Sequence, residues 1–152
     1  MKPTPRLALL TTLGTIAYLS LAVLGWYGFR PFFCHPPLVA VTVITFALAF
    51  VALFTEANLS AGLHEDRGNR WVLAAFSILG LALGFFPAYT DRHEFWTLDG
   101  DAIRWLGVFL FAAGGALRIY SVFVLGRRFS GLVAIQPEHT LVITGVYSHI
   151  RH

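Results

Sequence analysis

The chain is divided by long apolar runs that polar clusters interrupt, and those runs set its architecture. Residues 7–29 carry one charge-free stretch up to Phe29, long enough to cross a bilayer core with some tilt. Lys2 and Arg6 precede it in the manner of a signal peptide, but the apolar run is too long for one and no small-residue cleavage site follows. An uncleaved first helix is the expectation. A second apolar run covers about residues 38–54, after the breakers Pro31, Pro36 and Pro37. Its β-branched Val39, Val41, Val43 and Ile44 would favour a strand in water, but a lone strand in lipid leaves its backbone groups unpaired, so a helix is predicted. The third run, about 71–86, is expected to end at Pro87, and the fourth covers about 103–125 with Arg118 inside it. From residue 126 onward polar and apolar residues mix, and no run is long enough to span.

The predicted fold is therefore all-α and membrane-integral: four transmembrane helices within residues 1–125, then an interfacial tail, 126–152, at the cytoplasmic face. Composition agrees. Of 152 residues 57% are hydrophobic and 12% are charged, about half the charge of an ordinary soluble domain, which excludes a disordered polar chain and a coiled coil and argues against a soluble enzyme. The net charge of +3 comes without any Lys/Arg run interleaved with aromatics, so no nucleic-acid surface is expected. Cys34 is the sole cysteine, which leaves no intramolecular disulfide and no cysteine-built metal site.

Charge instead orients the chain. With the N-terminus in the cytoplasm, Lys2, Arg6, Arg67, Arg70, Arg127, Arg128 and Arg151 lie inside, against Arg30 and Arg92 outside, a bias that places both termini in the cytoplasm. Trp26, Tyr27, Tyr89, Trp96 and Trp105 would mark the outer interface and Trp71 the inner one. Gly80 and Gly84 form a GxxxG step, and 112–116 a small-residue patch, both read as helix-packing surfaces. The outer loop, with Asp91, Arg92, His93, Glu94, Asp99 and Asp101, reads as solvated and without chemistry. Glu65 and Asp66, adjacent in the loop between the second and third spans, would point about 100° apart on a helix and make no acid/base pair.

Two features carry candidate chemistry. Arg118 is an ionisable group inside a span, a functional candidate that also has the length to snorkel toward the cytoplasmic interface. The tail places His139, Tyr147, His149, Arg151 and His152 close together. His149 and His152 could share a helical face, but no third ligand joins them at metal spacing, so no metal site is predicted.

The tail also resembles a known family. Gly126-Arg127-Arg128-Phe129-Ser130, then Glu138-His139-Thr140-Leu141-Val142-Ile143-Thr144-Gly145-Val146-Tyr147 and Ile150-Arg151-His152, is similar to the isoprenylcysteine carboxyl methyltransferase family and its phospholipid-methyltransferase relatives, with their H-x-L-V-x-x-G-x-Y stretch followed by R-H-P-x-Y. The resemblance covers about the last quarter of the chain. It implies S-adenosylmethionine as cofactor, bound by His139, Thr140, Leu141, Val142, Tyr147 and His152, with Arg151 supporting. It also implies a methyl acceptor reached from the lipid bilayer: a prenylated cysteine carboxylate, a phospholipid amine or a small thiol. Arg118 is the candidate acceptor contact, and no catalytic residue is assigned. The family's pattern continues past the position of His152 with a proline, a tyrosine and further helices, so the chain is expected to be the N-terminal portion of such an enzyme. Two other readings stand beside it. One is a non-catalytic four-helix membrane scaffold or assembly protein. The other is a nicotinamide-dependent membrane reductase, which no Gly-rich phosphate-binding turn supports.

Overall fold

The computed structural model describes residues 3–55, 64–65, 68, 70–129, 134–135 and 142–148. Helix α1, Pro5–Gly25, starts where Thr4 caps it, the hydroxyl oxygen accepting from the Leu7 amide at 3.3 Å, with proline at the first helical position. A single turn, α2, covers Phe29–Phe33, and α3, Pro36–Ala52, again opens on prolines. Helix α4 spans Trp71–Arg92 and α5 spans Asp101–Leu125, where Asp101 sits favourably in the first turn.

Three of these, α1, α4 and α5, are long and apolar enough to cross a membrane. The four-span expectation narrows here: α3 has 17 residues, which at ~1.5 Å per residue falls short of the ~30 Å hydrocarbon core. The expected end of the third span at Pro87 is also corrected. Helix α4 runs through Pro87 to Arg92. Proline removes one amide from the ladder, but unwinding in an apolar setting would strand several more backbone groups, so the helix continues. The first span likewise starts at Pro5 and ends at Gly25, with 26–28 forming its cap and α2 a separate turn.

The helix surfaces are those of a membrane protein. No more than 11% of the residues in the apolar window of each candidate span are buried, and exposed leucine and isoleucine line all three, joined by phenylalanine on α4 and α5. Hydroxyls within the helices satisfy themselves locally: Thr15, Ser20, Thr42, Thr45, Ser77 and Ser121 each donate to the carbonyl four residues back.

Helix α1 packs on α4 and on α3, and α3 packs on α5. Contacts between α1 and α4 advance together, Gly84 lying against Tyr18 and Leu21 and Gly25 against Phe85 and Ala88, so the two run parallel. A Cβ on Gly25 would stand 2.7 Å from the Phe85 carbonyl oxygen, which explains glycine at this crossing. Only half of the GxxxG step is used: Gly84 is in contact, whereas a Cβ on Gly80 would meet nothing within 4 Å. In the small-residue patch Gly115 meets Leu48 of α3, while Gly114 faces open space.

The two ends of the bundle differ. At one end the C-termini of α1 and α4 meet the start of α3 and α5, around buried Trp26, Phe32 and Ala88. There Arg104 of α5 donates to the Asp91 carboxylate of α4, Nε to both oxygens and Nη2 to one, and pairs with Asp99 and Asp101. The outer-loop charges expected to be merely solvated are thus partly organised into an ion-pair cluster. At the other end a two-residue antiparallel ladder pairs His64 with Ile135 and Glu65 with Ala134, a small departure from an all-helical chain.

Candidate functional site at the tail end of the bundle

Helix α5 stops at Gly126, whose φ of 54° turns the backbone out of the helix, and a 3₁₀ turn, Gly126–Arg128, leads into the tail. The ladder between 64–65 and 134–135 then ties the α3–α4 loop to the tail, placing both at the same end of the bundle. No sequence signal marks this pairing, because two-residue strands are too short to show a period.

The tail returns to α5 at Gly145. This residue has a φ of 62° and lies so close to the helix that a Cβ would stand 3.3 Å from Val124 Cγ2 and 3.4 Å from the Tyr120 hydroxyl. It opens a second 3₁₀ turn, Gly145–Ser148, held by the Tyr147 amide donating to the Thr144 carbonyl and by the Ser148 hydroxyl donating to the Gly145 carbonyl. Val142 and Tyr147, two of the nominated cofactor residues, are half-buried on either side of this contact. His139, Thr140, Leu141, Arg151 and His152 lie outside the described residues, as does the His149 and His152 pair.

Tyr120 and Val124 had no place in the sequence reading, yet they form the helix side of this contact. The available signal was a tyrosine within an apolar span, one turn from its end. Arg118 lies elsewhere. It is exposed, has no ion-pair partner among the described residues, and at ~100° per residue sits roughly 160° around α5 from Tyr120. The structure therefore brings the Gly145–Ser148 turn, which carries Tyr147, to α5 and leaves Arg118 on another face.

Among the described residues, the half-buried ring of Tyr147 on the turn and the Tyr120 hydroxyl beside Gly145 are group types that an adenosyl site uses, an aromatic surface and a hydrogen-bonding hydroxyl. No curated protein and no solved structure matches the chain. Residues 105–152 match the family model described as "Isoprenylcysteine carboxyl methyltransferase (ICMT) family". The matched stretch begins inside α5, so the helix that receives the tail is part of it. The match covers the last third of the chain and supports the likeness to the isoprenylcysteine carboxyl methyltransferase family read from the tail motif.

Proposed function

We propose that the chain is a membrane-embedded, S-adenosylmethionine-dependent methyltransferase resembling protein-S-isoprenylcysteine carboxyl O-methyltransferase, with its cofactor segment at the cytoplasmic end of the bundle. The observation that carries this reading is the family match over residues 105–152. The docking of the motif's glycine onto α5 is in keeping with it. The seven-to-two distribution of Lys/Arg supports a cytoplasmic tail and N-terminus.

In this reading His139, Thr140, Leu141, Val142, Tyr147 and His152 hold the cofactor, and Arg151 supports them. When bound, S-adenosylmethionine supplies a sulfonium methyl group to an attacking acceptor atom. The chain's part is positional: the Gly145 turn fixes the motif against Tyr120 and Val124, and the apolar outer surface of the helices lets a lipid-attached acceptor approach from the bilayer. Arg118, exposed on α5 and without an ion-pair partner among the described residues, suits an acidic group of that acceptor. The scaffold alternative is not favoured, since it leaves the tail's family sequence without a role.

The test is calorimetric titration of the detergent-solubilised protein with S-adenosylmethionine, alongside transfer of labelled methyl to prenylcysteine, phospholipid and thiol acceptors. Saturable binding, weakened when His139 or Tyr147 is replaced by alanine, is expected. Folded protein that shows no binding would sink the reading.

A further inference from the structure

We infer that the loop joining α4 to α5 is a built membrane-inserting tip, which seats the stacked rings of Phe95 and Trp96 in the interfacial layer of the leaflet opposite the tail. The inference rests on the membrane-spanning reading of α1, α4 and α5. It is independent of the methyltransferase chemistry.

The geometry of the loop is specific. Trp96 is 93% exposed and Phe95 57%, and their rings stack at 5.6 Å with only 15° between planes. Leu98 and Phe29 of α2 are exposed beside the same end of the bundle. A soluble loop would not be expected to present such a set to water. Nor is it presented by a slack chain. Glu94 and Trp96 both adopt left-handed backbone, at φ 53° and 54°, a conformation that large side chains rarely take. Both flanks are held: the Phe95 amide donates to the Thr90 carbonyl at 3.0 Å on one side, and Arg104 reaches Asp91 and Asp99 across the other. Strain kept between two clamps, with aromatic rings turned outward, indicates a required presentation.

The occupant follows from position and charge. The tip sits at the end of helices whose outer surface is predominantly apolar, so its rings continue a lipid-facing surface to the depth where tryptophan prefers to lie. This end carries Arg30, Arg92 and Arg104 against Asp91, Glu94, Asp99 and Asp101. That slightly negative balance gives no attraction to acidic headgroups, so insertion rests on the rings and is insensitive to salt and satisfied by zwitterionic lipid.

The test reconstitutes the full chain and its Trp96→Phe variant in dioleoylphosphatidylcholine vesicles and takes the difference in tryptophan emission as the Trp96 signal. In vesicles whose acyl chains are brominated near the headgroup end, that signal should lose most of its intensity. It should be spared by aqueous iodide and unchanged by added salt. Quenching by iodide with none by bromolipid makes the tip a solvent loop and overturns the inference. Resistance to both quenchers, with emission that changes as the protein is diluted in lipid, assigns the rings to a second copy of the chain and overturns it too. The Trp96→Phe protein reports separately on the membrane reading through exposed Trp71 and Trp105; absence of bromolipid quenching there removes the premise itself.

Discussion

The hydroxyl of Tyr27 and Nε2 of His93 lie 3.2 Å apart, joining the residue just past α1 to the residue that caps α4. The two helices end in the same way. After α1 the Tyr27 and Gly28 amides donate to Leu24 and Val23; after α4 the Glu94 and Phe95 amides donate to Asp91 and Thr90. Each is a paired turn whose left-handed position usually falls to glycine, but here is held by Tyr27, at φ 64°, and by Glu94. Parallel helices thus finish level with one another, and the histidine ring, which also lies 4.4 Å from that of Tyr89, bridges their caps. Tyr27→Phe should cost about 0.5 kcal/mol, the low end for a hydrogen bond at an exposed site, read as a small fall in thermal midpoint in detergent.

Relieving the other cap should stabilise. Left-handed backbone costs a non-glycine residue about 1–2 kcal/mol, and glycine's larger entropy loss on folding takes back roughly 0.5–1. Glu94→Gly is therefore expected to raise stability by up to about 1 kcal/mol. A clear loss on thermal unfolding would show that the Glu94 side chain makes a contact worth more than the strain.

Glycines of α1 and α4 should separate sharply under the same substitution. Gly25→Ala drives a methyl against the Phe85 carbonyl and should destabilise by about 1–3 kcal/mol, through overpacking of a backbone crossing. Gly80→Ala enters open space and should be neutral or slightly stabilising through helix propensity. Equal effects would contradict the α1–α4 crossing described above.

Gly145→Ala tests the tail. The substitution places a Cβ against Val124 and Tyr120 on a residue at φ 62°, so the turn carrying Tyr147 must shift. S-adenosylmethionine affinity should fall about tenfold or more, equivalent to ~1.4 kcal/mol, with the helical bundle intact by circular dichroism. Unchanged affinity would detach the cofactor reading from this turn.

Orientation can be checked by labelling. In a Cys34→Ser background, cysteines at Gly68 and Thr97 should react with an impermeant reagent from opposite sides of sealed vesicles. Reaction from one side only would exclude an alternating path through α4.

The apolar runs were legible because a bilayer imposes length and composition on each segment separately, so a span declares itself without knowledge of its neighbours. Where boundaries moved, local rules had met tertiary ones: Pro87 reads as a stop, yet α4 packs on α1 through Gly84 and Ala88 on both sides of it and continues. The motif from His139 to His152 was visible because its residue types and spacing are themselves the signal.

Sequence alone therefore carried the apolar helices, an expected orientation and the family likeness of the tail. Only the tertiary structure decided that Gly84 packs while Gly80 does not, and that Tyr120 and Val124 receive Gly145 while Arg118 lies on another face. It also decided that the loop joining α4 to α5 is clamped rather than slack. The physical reason is range. Hydropathy, breakers and motif spacing act over a few neighbouring residues, whereas these pairings join positions such as Tyr27 and His93, 66 apart in the chain, whose meeting depends on how whole helices pack.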